Sequence, residues 1–115
     1  MGHTHCGAVH ALVEGIDDED VAPWLSVAQN ACARASQKVS NNEHEALLRE
    51  TEKETVIESV NNVLDYPVVQ KAVQDGRIEV HGWLFAMDSG DIHELDQEHG
   101  TFSVIDLNTY ATDAA

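Results

Sequence analysis

The sequence predicts an α/β chain in which helices outnumber strands, and three observations lead there. Apolar residues recur at three- and four-residue intervals in several stretches. One segment reads as a strand and folds back through Asp88-Ser89-Gly90-Asp91. Gly15, Pro67 and Gly76 stand where helices would stop or start. A two-stranded hairpin is not an independent sheet, so the helices need each other or strands supplied from elsewhere.

The elements follow in order. Residues 7–14 hold Ala8, Val9, Ala11, Leu12 and Val13 and close on Gly15, which suits a short helix with a glycine cap. Asp17-Asp18-Glu19-Asp20 comes next, placing carboxylates where the positive end of a following helix favours them. It lacks the alternating ligands and glycine of a calcium loop. From 24 to 39, Leu25, Ala28, Cys32 and Ala35 fall on one helical face, which makes Cys32 a small buried hydrophobe. Ser40-Asn41-Asn42 breaks the pattern, and Asn42 with Glu45 resembles a capping box.

The longest helix then carries Ala46, Leu47, Val56, Ile57, Val60, Val63 and Leu64 as its apolar stripe, with Arg49, Glu50, Glu52, Lys53, Glu54 and Glu58 as its solvated face. Pro67 suits the first turn of a short helix that stops at Gly76. Residues 78–87 read as a strand, 92–95 as its return, and 102–105 as a further short strand, with a loose tail from Thr109.

The 115 residues are one domain's worth, long enough to bury roughly two thirds of the unfolded surface, and 43% are apolar. The 21 acidic and 6 basic side chains give a formal charge of −15. Nucleic acid and anionic membranes both require clustered Lys and Arg, so neither is an expected partner. The acidity also suits a carboxylate surface kept soluble in a salty cytoplasm. No apolar run approaches a spanning helix and Met1-Gly2-His3-Thr4-His5-Cys6 has no signal-peptide character, so the expected setting is cytoplasmic.

The chemistry gathers at the start of the chain. His3 and Cys6 form an HxxC pair between Gly2 and Gly7, and zinc accepts imidazole nitrogen and thiolate together. A spacing of three at a turn entering a helix lets both reach one ion. His5 and His10 are nearby imidazoles, either solvent-exposed or able to chelate adventitiously with the N-terminus.

Gly2-His3-Thr4-His5-Cys6-Gly7-Ala8-Val9 resembles the second zinc motif of the β-class carbonic anhydrases, GH(S/T)xCG followed by a small and an aliphatic residue. The likeness continues, in order and at fitting distances, through Glu58-Ser59-Val60 to Leu64, Tyr66-Pro67-Val68-Val69, Gly76-Arg77-Ile78-Glu79-Val80-His81-Gly82-Trp83 and Ser89-Gly90-Asp91-Ile92-His93-Glu94-Leu95. It covers about residues 2–96.

The resemblance implies the C-terminal portion of that family's α/β fold, mainly helices plus an edge hairpin, without its early parallel strands. Residues 1–96 would be a partial domain and 97–115 an extension or tail. It also implies Zn2+ held by two cysteines and a histidine, with His3 as the imidazole ligand and Cys6 as the second thiolate. The zinc lowers the pKa of its water to about 7 for hydration of carbon dioxide to bicarbonate. His81-Gly82-Trp83 would pack the sheet.

The family's first zinc motif, CxDxR, has no match in these residues, and Cys32, among Ala31, Ala33 and Arg34, does not replace it. The expectation is a truncated carbonic anhydrase with impaired or no activity alone. The alternatives are one half of a split enzyme, completed by self-association or by a chain supplying the missing half, and a non-catalytic acidic interaction module. A homo-oligomer is expected where apolar faces would otherwise stay exposed.

Overall fold

A computed structural model describes residues 1–15, 18–40, 43–106 and 108. The elements run β1 (Gly2–His3), α1 (Gly7–Glu14), α2 (Ala22–Leu25), a 3-10 turn (Ser26–Ala28), α3 (Gln29–Lys38), α4 (His44–Leu64), α5 (Pro67–Gln74), β2 (Trp83–Ala86), β3 (Asp91–Asp96) and β4 (Thr101–Val104). The four strands form one sheet in the order β1-β2-β3-β4. β1 runs parallel to β2, whereas β2, β3 and β4 are antiparallel neighbours.

The helix punctuation works as the sequence suggests. Gly15 is left-handed (φ 71°) and its N–H closes α1 on the Ala11 carbonyl. Pro67 opens α5, which ends with Gly76 N–H on Val73 and Arg77 N–H on Ala72, the paired bonds of a Schellman motif. Before α2, the Asp18 carboxylate accepts the N–H groups of Asp20 (2.8 Å) and Val21 (3.2 Å). Asp17, the Asn41-Asn42 break with its capping box, and the tail from Thr109 lie outside the described residues.

Three readings need correction. The helix expected over 24–39 is interrupted by the 3-10 turn, and its buried positions are Leu25, Ala31 and Ala35, leaving Cys32 only half-buried. The strand expected over 78–87 is confined to Trp83–Ala86. Upstream of it, the Gly82 carbonyl takes Leu95 N–H (2.8 Å) and the Val80 carbonyl takes the Gln97 side-chain amide (2.6 Å), so a side chain satisfies what a ladder would have. The third correction concerns α4.

α4 spans 21 residues, about 31 Å at 1.5 Å per residue, and is buried on two sides. Along one row lie Leu48, Glu52, Val56 and Val60, each four residues from the last; along another lie Leu47, Thr51 and Glu54. α3 packs against α4, and β1 and β2 also rest on it. Glu52 and Glu54, expected on a solvated face, are therefore only 3% and 2% exposed.

Burial of a carboxylate requires partners. Arg34 Nε donates to Glu54 Oε2 (2.9 Å), and Lys38 Nζ donates to Glu54 Oε1. Arg34 Nη2 also reaches Glu58 (3.0 Å). Burial pushes the Glu54 carboxyl up, but the hydrogen bonds and charges of Lys38 and Arg34 outweigh it and hold the group below the usual carboxylate range. Thr51, fully buried, satisfies its hydroxyl within the helix by donating to the Leu47 carbonyl (2.8 Å).

The sheet meets α4 through glycines. A Cβ on Gly82 would lie 2.9 Å from Val60 and 3.1 Å from Val56, and 3.2 Å from Leu95 Cβ. A Cβ on Gly2 would come within 2.8 Å of Val56. The expected packing role of His81-Gly82-Trp83 thus resides in Gly82, with Trp83 Nε1 donating to Glu94 (2.7 Å) across the hairpin. β4 answers the strand expected over 102–105, and Ile105 N–H reaches the Ile92 carbonyl (2.9 Å), so the chain beyond residue 96 extends the sheet.

Two outcomes follow. Gly82→Ala should destabilise the fold by about 1–3 kcal/mol through overpacking, read as a lower urea midpoint at unchanged slope. Because the folded-state pKa of Glu54 is depressed, its contribution is complete above the ordinary value of 4.5 and is lost as pH falls through the lowered value. Acid unfolding of the unaltered chain should therefore steepen in that window, and Glu54→Gln should flatten it.

Candidate metal centre

His3 and Cys6 occupy the crossing from β1 into α1. β1 is held by its register with β2, Gly2 opposite Leu84 and His3 opposite Phe85. The chain leaves the strand through Thr4, whose N–H donates to the Phe85 carbonyl (2.9 Å) and whose hydroxyl accepts Met87 N–H (2.9 Å). His5 turns it with a left-handed backbone (φ 56°), uncommon outside glycine. Cys6 is then the N-cap of α1, its carbonyl accepting His10 N–H (2.9 Å).

His3 is exposed and its Nδ1 lies 2.8 Å from the Thr4 carbonyl. In that contact Nδ1 carries the proton, which leaves the Nε2 lone pair for a ligand. Cys6 is half-buried and a free thiol, as is Cys32. The Cys6 N–H donates to Glu52 Oε2 (3.3 Å), so the buried helix α4 fixes the backbone that presents the thiol.

Glu52 and Arg49 are the residues that sequence reasoning missed. Glu52 Oε1 and Arg49 Nη1 meet at 3.1 Å without hydrogen-bond geometry, and Glu52 Oε1, Arg49 Nε and Arg49 Nη1 have no hydrogen-bond partner among the described residues. Burial pushes the Glu52 carboxyl above its ordinary value, against the lowering effect of Cys6 N–H and Arg49. A signal did exist in the sequence. Glu52 falls in a strict four-residue row with Leu48, Val56 and Val60, where a solvated carboxylate would be out of place.

These groups line a cleft of about 300 Å3, bounded by His5, Cys6, His10, Leu48, Arg49 and Glu52. It sets a thiol beside a cation and a buried carboxylate. His3 is not among its lining residues and stands next to it in the chain, on β1. His5 closes one side by a 2.9 Å contact from Nε2 to the exposed Asp88, holding that carboxyl below its usual range.

The sequence model of the carbonic anhydrase family matches residues 1–92. The chain belongs to the β-carbonic anhydrase family. It is 33% identical over 99 residues to a carbonic anhydrase of Pseudomonas aeruginosa, covering 83% of this chain and 44% of that one. It is 26% identical over 109 residues to one of Synechococcus elongatus, covering 91% and 40%. Among solved structures, the β-carbonic anhydrase CcaA matches with a TM-score of 0.75 at 20% identity, over 91% of this chain and 49% of that one. A Coccomyxa β-carbonic anhydrase in complex with acetazolamide matches at 0.68 and 21%, over 97% and 55%.

At those identities the structural likeness concerns the fold. It confirms the expected α/β architecture as part of a larger one, since the chain spans less than half the length of these two curated relatives. No helix among the described residues is long and apolar enough to cross a membrane.

The Thr4 hydroxyl is one of the bonds that hold the strand-to-helix turn. Thr4→Val keeps the shape but removes the acceptor of the Met87 N–H, so it should cost about 0.5–1.5 kcal/mol in chemical denaturation and speed amide exchange at Met87.

Proposed function

We propose that this chain supplies the histidine and one thiolate of a zinc site for the reversible hydration of carbon dioxide to bicarbonate, with His3 and Cys6 as donors. The observation that carries the reading is the stapled turn. Four consecutive residues run from β1 into the N-cap of α1, with the His3 Nε2 lone pair left free by the Thr4 carbonyl contact and the Cys6 backbone held by buried Glu52. Imidazole and thiolate are a donor pair that suits zinc. Bound there, zinc supplies an activated water at neutral pH as the nucleophile.

The chain's own residues do the rest. Thr4 and Glu52 orient the two donors from outside, as residues behind a metal ligand do. Arg49 stands between Glu52 (3.1 Å) and Glu45 (3.7 Å), both also lining the cleft, and balances their charge beside the thiol. The second thiolate is a separate requirement, since CxDxR does not occur in the 115 residues. Two protein donors hold an ion weakly, so catalysis by this chain requires a polypeptide that brings the other cysteine. Exposed Trp24, Val27, Tyr66 and Val68 offer apolar surface for such an assembly or for a homo-oligomer. A cytoplasmic setting, where Cys6 and Cys32 stay reduced, suits this chemistry.

Zinc content and carbon dioxide hydration should be measured for the chain alone and after mixing with a polypeptide carrying CxDxR. Hydration should rise on mixing, and Cys6→Ser should lower both zinc affinity and activity at least tenfold. Activity that survives Cys6→Ser would sink the assignment of the thiolate. A folded chain that neither binds zinc nor gains activity on mixing would favour the non-catalytic interaction module.

A further inference from the structure

A second group of donors gathers between α1 and the start of α4, with His10 also on the rim of the Cys6 cleft. His10 and Glu14 stand one helical turn apart on α1 and therefore share a face. His44, the first residue of α4, is brought against them. One ligand atom from each of the three lies within 4.8 Å of the other two. His44 Nε2 is 3.1 Å and His10 Nε2 is 3.9 Å from the same Glu14 oxygen, Oε1. The two rings meet edge to face, with centroids 6.2 Å apart and planes at 88°.

We propose that His10, Glu14 and His44 form a second divalent-metal site, selective for a borderline cation such as Zn2+ and independent of His3 and Cys6. Tetrahedral zinc with donors at about 2.0–2.1 Å requires neighbouring donor atoms roughly 3.3 Å apart. The two separations from Glu14 straddle that distance and the remaining pair lies within 4.8 Å, so the three side chains need to close by about an ångström. All three residues are exposed, which leaves water to complete the coordination sphere and lets the ion exchange. Two imidazoles and a carboxylate suit zinc, nickel or copper, whereas calcium and magnesium take oxygen ligands.

The ion would clamp α1 to the start of α4. These helices also contribute the two sides of the cleft, Cys6 at the N-cap of α1 and Glu52 on α4. A cation that binds the folded chain alone stabilises that arrangement in proportion to its concentration, so metal supply would tune the rigidity of the thiol's surroundings.

Zn2+ titration by calorimetry in a Cys6→Ser background isolates the site. One ion per chain is expected to remain, with affinity falling at least tenfold on adding His44→Gln or Glu14→Gln and unchanged on adding His99→Gln, an exposed histidine on the β3–β4 turn. Equal loss with His99→Gln, or no loss with His44→Gln, would overturn the proposal. In the unaltered chain, imidazole NMR signals of both His10 and His44 should shift together on adding Zn2+, and signals that stay in place at saturation would overturn it without any variant. Failure of the His3–Cys6 reading has a separate signature, namely equal ion counts with and without Cys6→Ser, while the dependence on His44 persists.

Discussion

The contact on which this structure depends is the seating of Val56 and Val60 against backbone. At Gly2 and Gly82 there is no Cβ, and two valines of α4 occupy the space where one would project. This brings the parallel β1–β2 pair onto the long helix at close range and sets the height at which β1 leaves the sheet. Everything that happens at His3 and Cys6 inherits its position from that seating, because only Thr4 and His5 separate the two residues.

The same helix explains why charge lies inside an acidic protein. α4 is enclosed by α3 on one side and by the sheet and α1 on others, so two rows of its residues are removed from water. Glu54 is matched by two cations whose outer ends stay hydrated, an arrangement that keeps the carboxylate ionised while anchoring α3. Glu52 is matched less completely: it shares a contact with Arg49 and accepts the Cys6 N–H, and three polar atoms of the pair lack hydrogen-bond partners among the described residues. The contrast separates a carboxylate that binds two helices together from one that supports a thiol.

Much of the architecture was legible because it is written in local chemistry. Gly15, Pro67 and Gly76 mark helix ends through backbone conformations that neighbours do not alter, and Asp88-Ser89-Gly90-Asp91 announces its hairpin in the same way. The motif around His3 and Cys6 was legible as a resemblance, carried by ordered short matches rather than by any single spacing. What escaped was long-range. β1 is two residues long and exists only because β2, with partners 82 positions later, pairs with it. The burial of Glu54 depends on which elements surround α4, whereas that of Glu52 left one trace in the sequence, its place in a row with Leu48, Val56 and Val60. The half-buried Cys32 and the 3-10 turn before it show the opposite failure, where a helical period alone did not locate the covered face.

The hydroxyl of Thr4 and the amide of Met87 are 83 residues apart. Contacts of such separation form only after the intervening chain has been organised, since closing a longer loop costs more entropy. The turn from His3 to Cys6 is therefore synthesised before the hairpin that staples it. During synthesis Cys6 is a loosely held thiol until the hairpin has emerged and docked on α4, and an ion captured earlier would be held by a flexible peptide rather than by a formed turn. Completion of the sheet thus sets when the residues proposed to hold zinc take up a fixed geometry.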